Sequence, residues 1–178
     1  MKEFGGPAVF IDRSDINTDE IIPARYLTEI SKQALKAHLL EDLHLEGGGF
    51  DPHSETMRQA RVLVTRSNFG CGSSREHAVW ALEVNGINVV IGESFARIFR
   101  QNMFNCGIMA IELEPADIEQ LFSLRGEVVV TVDLEKEELT ATGSAGNREP
   151  LTCGFTLNPF DMKLVKAGGW LAYAEQNY

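Results

Sequence analysis

Cysteine is scarce in this chain: Cys71, Cys106 and Cys153 are its three copies in 178 residues. An odd number of widely spaced cysteines argues against a secreted disulfide framework and offers no zinc or iron–sulfur ligand spacing. Cys106 and Cys153 read as small buried apolar residues, and Cys71, inside a glycine turn, is assigned no chemical role. Also absent are the roughly 18 consecutive apolar residues of a transmembrane helix, the apolar core of a signal peptide in Met1–Pro7, any internal repeat and any low-complexity linker. Positive charge is short as well. The 16 Lys and Arg stand against 26 Asp and Glu, a formal charge of −10, and form no cluster. Neither a nucleic acid nor an anionic membrane is therefore the expected partner. A cytoplasmic location is expected, with one domain spanning 1–178 whose core closes without disulfide or metal. Any anionic small molecule must be held by a local arrangement working against the overall negative field.

Such an arrangement is present in Asn68-Phe-Gly-Cys-Gly-Ser-Ser-Arg-Glu-His77. It follows the short apolar, β-branched run Arg61–Thr65, a strand pattern, and leads into helix-compatible sequence. Gly70 and Gly72 allow a tight turn with uncovered main-chain N–H groups, and a helix N-terminus adds unsatisfied donors and partial positive charge. A carboxylate or phosphate would be stabilised there. The plainer reading is a capping box, in which Ser73 and Glu76, three residues apart, satisfy the helix start. Capping leaves Arg75 unexplained, because a cation in the first helical turn opposes the macrodipole. A local rule broken in this way points to function.

The rest of the chain divides at Gly126. Ala8–Ile11 reads as a first strand, Asp12–Glu20 as a polar segment outside the core, and Ser31–Asp42 as a helix capped by Ser31. Glu46–Glu55, with three glycines and a proline, reads as a loop. From Arg61 strands and helices alternate: strand 61–65, helix 74–84, strand 87–91, helix 94–105 capped by Ser94, strand 108–113, then a helix opened by Pro115 and running to Leu124. Alternation of this kind predicts a parallel βαβαβ unit with right-handed crossovers. Beyond Gly126, strands 127–133 and 138–142 and one within 150–157 predict antiparallel hairpins. A helix over 159–167 ends at Gly168-Gly169, leaving 170–173 to pack back. The class is mixed α/β.

A glycine turn between strand and helix also marks dinucleotide-binding proteins, with Glu93 as the acidic residue near the next strand. Two glycines at this spacing are a weak signal, and the third glycine position is occupied by Arg75. No Gly-Lys-Ser/Thr follows, so a Walker phosphate loop is not indicated.

Three segments in order, Asp15–Leu27, Asn68–His77 and Ser94–Asn102, resemble the small subunits of 3-isopropylmalate dehydratases, the separate-chain form of the aconitase-superfamily swivel domain. The resemblance covers nearly the whole chain. It implies a three-layer swivelling β/β/α fold with a parallel portion. It also implies a hydro-lyase that isomerises a hydroxy-dicarboxylate by removing and re-adding water. No cofactor is expected on this chain. A [4Fe-4S] cluster belongs to an absent large subunit, the expected partner.

By the same resemblance Ser73 is the base, Ser74 and Arg75 bind substrate, and Asp19 is a supporting catalytic acid group. A serine serves as a base only beside positive charge and away from water. Arg75 can grip a carboxylate in two-pronged geometry. Residues Leu27, Thr28, Glu29 and Ile30 correspond to the loop associated with substrate choice. No arginine occurs between Tyr26 and Lys32, so a substrate with an alkyl group is favoured over one with a third carboxylate. Isopropylmalate leads, with dimethylmalate and homoaconitate enzymes as alternatives and a nucleotide-binding module as a distant one. Val79 departs from the proline common in relatives. His77 reads as a packing or supporting residue, and His38, His44 and His53 as solvent-facing. Arg97 and Arg100, one helical turn apart, face either the cleft, the large subunit or solvent.

Overall fold

The computed structural model describes residues 3–178. Met1 and Lys2, the start of the N-terminal segment considered above, lie outside them. Seven strands form one sheet: β1 Gly5–Phe10, β2 Val62–Val64, β3 Val89–Gly92, β4 Met109–Glu112, β5 Arg125–Asp133, β6 Glu138–Ala145 and β7 Leu151–Gly154, in the order β4-β3-β2-β1-β5-β6-β7. β1 is the junction. It pairs in parallel with β2 and antiparallel with β5. The parallel half is the expected βαβαβ run, and the antiparallel half contains the expected hairpins.

Burial explains the two halves. Every residue of β2 and β3 is buried, as befits parallel strands lying within the protein. In β5, Val128 and Val130 are buried while Glu127, Val129 and Thr131 are exposed, the alternation of a sheet with one wet face. The helices are α1 Thr18–Ile21, α2 Glu55–Gln59, α3 Glu76–Val84, α4 Arg97–Asn105, α5 Pro115–Phe122, α6 Pro159–Ala167 and α7 Trp170–Asn177.

Several local expectations are corrected. Ser31–Asp42 is not an α-helix but a 3-10 turn over Lys32–His38, and the Ser31 side chain caps nothing. Residues 55–59, at the edge of the expected loop, form α2 because Ser54 accepts a hydrogen bond from the Met57 N–H at 3.1 Å. The polar stretch Asp12–Glu20 contributes buried Ile16 and Thr18 and carries α1, so it is partly core. The chain after Gly169 packs back as expected, with Trp170 and Tyr173 against Phe160, but does so as helix α7 running on to Asn177. His38 is half-buried and stacked on Tyr26, with ring centroids 3.8 Å apart, rather than facing solvent.

Candidate active site

The carboxyl ends of β1, β2 and β3 point to the same end of the sheet, because the three strands are parallel neighbours. The segments that leave them, 11–27, 65–75 and 93–96, are therefore brought together there. These are the three segments that carried the sequence signal. Two isolated bridges stitch them: Asn17 pairs with Cys71, and Phe69 pairs with Phe95. The N–H of Gly70 donates to the Ile16 carbonyl (2.8 Å), the N–H of Thr18 to the Cys71 carbonyl (2.9 Å), and the N–H of Ala96 to the Phe69 carbonyl (3.0 Å).

Below this junction Phe69 packs edge-on against Phe95 and Phe99, at centroid distances of 6.2 and 5.5 Å. Each such pair contributes about 0.5–1.5 kcal/mol beyond simple burial. The glycines above are needed. Gly70 has φ +84°, and a Cβ there would sit 2.3 Å from the Phe99 ring. Gly72 has φ +91° but open room, its nearest neighbour being Asn17 at 3.5 Å.

Helix α3 starts later than the capping-box reading requires. Glu76 is its first residue, and Arg75, extended at φ −134° and ψ 117°, occupies the cap position with no side-chain hydrogen bond to the helix. Ser73 therefore lies too far back to cap. Its carbonyl is held instead by the hydroxyl of Thr18, which donates at 2.8 Å from a buried position. Ser94 does not cap α4 either. Ala96 stands at that cap, and Ser94 Oγ accepts the N–H of Asn68 (2.8 Å). Tertiary partners have taken both serines.

Arg75 lies outside the first helical turn. Its guanidinium reaches Asp19 Oδ1 at 2.6 Å, so the two residues singled out from separate segments are in contact. Ser73 and Ser74 are exposed on the same turn. A cleft of about 760 Å³ opens beside them, lined by Gly70, Gly72, Ser74, Arg97 and Arg100 among others. Arg97, the first residue of α4, has no ion-pair partner among the described residues. Arg100 is committed: it donates to buried Asp161 at 2.9 Å and lies over the Phe104 ring. The loop Leu27–Ile30 reaches α3 where His77 Nε2 meets the Glu29 carbonyl at 3.1 Å.

Sequence reasoning passed over Thr18 and Glu20. Asn17 caps α1 in a capping box, its side chain accepting the Glu20 N–H (3.0 Å) while Glu20 accepts the Asn17 N–H (3.3 Å). Burial raises the Glu20 pKa, but hydrogen bonds from Arg13 and from Asn17 outweigh it and hold the carboxyl below its usual range. The Asn17-Thr-Asp-Glu20 string was the available signal, four polar residues with the spacing of a cap. Burial first, and Asp15 second, push the Cys71 thiol above its ordinary value, which disfavours thiolate chemistry there. Among the described residues no group of three or more His, Cys, Asp or Glu could hold a metal ion. No helix among them is long and apolar enough to cross a membrane.

Residues 2–116, well over half of the chain, match the model of the aconitase C-terminal domain. The chain belongs to the aconitase C-terminal domain family. Among its relatives is a 3-isopropylmalate dehydratase small subunit from Leptospira interrogans, 40% identical over 159 residues, which cover 82% of this chain and 76% of that one. Another, so named, from Rhodopirellula baltica is 41% identical over 145 residues, covering 76% and 74%. The crystal structure of 3-isopropylmalate dehydratase (leuD) from Methanocaldococcus jannaschii superposes with a TM-score of 0.74 at 30% identity, covering 98% of this chain and 95% of that one. Arg75, turned to Asp19, occupies the position where the dinucleotide reading needs a glycine.

Proposed function

We propose that this chain is the small subunit of a cytoplasmic, two-subunit hydro-lyase that interconverts 2-isopropylmalate and 3-isopropylmalate by dehydration and rehydration, in leucine biosynthesis. Residues 1–178 act as a single swivel-type domain that closes over a large subunit. The observation that carries this reading is the contact of Arg75 with Asp19 beside Ser73 and Ser74, in a chain whose relatives bear the dehydratase small-subunit name.

The chain's own residues do not fit an iron–sulfur cluster, since its cysteines are separate free thiols and no metal-holding group occurs among the described residues. A [4Fe-4S] cluster on the large subunit would supply the Lewis acid for the departing hydroxyl. The residues here have other tasks. Arg75 holds a substrate carboxylate in two-pronged fashion, and Ser74 donates its hydroxyl to the same group. Asp19 orients the guanidinium. Ser73 Oγ accepts the proton from the carbon next to the carboxylate, and returns it when water adds in the other orientation. The charge of Arg75 and the uncapped start of α3 favour the ionised serine and the negative charge that develops on the substrate. Leu27 and Ile30, with Thr28 and Glu29 between them, offer apolar contact and no cation, which suits an isopropyl group.

Co-expression with the large subunit, anaerobic cluster reconstitution and assays with isopropylmalate, dimethylmalate and homoaconitate test the proposal. Isopropylmalate is expected to react best. Activity with homoaconitate alone would overturn the substrate choice, and activity with none of the three would overturn the hydro-lyase reading.

A further inference from the structure

The loop Leu27–Ile30 has little support of its own. Thr28, Glu29 and Ile30 are exposed, Ile30 to 96%, and the N–H of Glu29 bonds only as far as the Tyr26 carbonyl (3.1 Å). An apolar loop so exposed needs an outside anchor to hold one position.

That anchor is one face of α3. His77 Nε2 lies 3.1 Å from the Glu29 carbonyl, and a carbonyl only accepts, so Nε2 carries the hydrogen. The imidazole is steadied by the Trp80 indole at a centroid distance of 4.6 Å. One turn further along, Glu83 pairs with Lys32 at 3.0 Å, and Lys32 lies 5.6 Å from the Trp80 ring centre. Residues 77, 80 and 83 recur every three positions, so they share the helix face turned toward the loop. The Asn85 side chain closes the row by donating to the Lys36 carbonyl (3.1 Å). His77 is two residues from Arg75 and four from Ser73, so one short piece of backbone sets the position of the base, the carboxylate grip and the loop.

We propose that His77 is a positioning residue for substrate choice: its Nε2–H fixes the Glu29 carbonyl, and so sets the distance between the apolar side chains of Leu27 and Ile30 and the carboxylate held by Arg75. The inference rests on the hydro-lyase reading for its substrate. Its tether does not. Without the hydrogen bond the loop loosens, the fit to an alkyl group degrades, and the groups that handle the carboxylate and the proton keep their places.

The test uses His77→Ala and His77→Gln, the second retaining an N–H donor on a side chain of similar reach. In the reconstituted two-subunit enzyme, the ratio of kcat/KM for isopropylmalate to that for 2-methylmalate should fall by roughly three- to tenfold in His77→Ala, the range of one net hydrogen bond. His77→Gln should recover most of it. Equal losses for both substrates, or an unchanged ratio, would overturn the proposal. Hydrogen–deuterium exchange on the full chain reads the tether without any activity. Faster exchange over residues 27–32 in His77→Ala, restored in His77→Gln, is expected, and unchanged exchange overturns the tether even where the enzyme works. A wild-type complex inactive on every malate, with exchange behaving as expected, would sink the hydro-lyase reading and the assignment to substrate choice, while the tether stood.

Discussion

Arg75 and Asp19, 56 positions apart in the chain, form a 2.6 Å ion pair at the carboxyl ends of β2 and β1. Asp19 is more than half exposed, so the pair stabilises the fold little, by about 0–1 kcal/mol. In the proposed function its consequence is orientation, since it would aim the guanidinium before any substrate arrives. Asp19→Asn should therefore lower kcat/KM about tenfold or more, as expected for a misaimed charge-assisted contact, while the urea midpoint stays near wild type. Kinetics and urea titration on the same preparations check both halves, and an unchanged kcat/KM would remove Asp19 from the site.

Ser73 is anchored through its backbone carbonyl by Thr18, and its hydroxyl is exposed. Ser73→Ala leaves that anchor in place. Turnover should fall by at least about a hundredfold, the usual effect of removing a general base, with assembly onto the large subunit unchanged in size-exclusion chromatography. A near-normal rate would show that the proton goes elsewhere.

Gly70 and Gly72 share positive φ but not the space around them. Gly70→Ala must displace the Phe99 ring from 2.3 Å and also adopt a left-handed backbone. A loss on the order of 2–4 kcal/mol is expected. Gly72→Ala meets only ordinary contacts and carries the backbone cost alone, about 1–2 kcal/mol. Chemical denaturation of the two variants should rank them in that order. Equal losses would mean that the aromatic packing yields freely.

Glu20 sets an acid limit. Its folded-state pKa is depressed below the unfolded value by the hydrogen bonds from Arg13 and Asn17, which overcome the effect of burial. A depressed carboxyl contributes stability that is fully present above its unfolded pKa and is lost as pH falls through the folded one. Glu20→Gln should thus lower stability at pH 7 and flatten the decline on acidification. Urea midpoints measured from pH 7 down to pH 3 report the difference. A parallel decline in both proteins would assign the acid limb to other carboxylates.

The alternation of strands and helices from Arg61 to Leu113 was legible because each strand is a run of apolar residues closed by a polar or glycine-containing break. The antiparallel half was legible from β-branched runs flanking a charged turn, whereas the alternate burial of Val128 and Val130 within three consecutive valines was not. Helix starts were not. Ser73 and Ser94 each stand where a cap belongs by local rule, yet one has its carbonyl bound to Thr18 and the other serves the N–H of Asn68. Both partners are distant in sequence, and no local pattern encodes them. The burial of Ile16 and Thr18 was hidden for the same reason, because a polar string reads as surface until the glycine turn folds over it. Of the candidate-site residues, Ser73, Ser74 and Arg75 were legible as types from the glycine turn, and Asp19 only through the family resemblance. Their meeting was not, since it depends on β1 and β2 lying side by side.

The sheet register has a practical consequence. Gly5 lies opposite Thr131 and Ala8 opposite Val128, so β5 runs toward the amino end of β1. The turn 134–137 that joins β5 to β6 thus sits at the end of the sheet away from the glycine turn, roughly 20 Å off for a six-residue strand. A fluorophore or affinity handle attached at that turn would leave the cleft unencumbered, which makes it the place to grip the molecule while ligands or partners are tested at the other end.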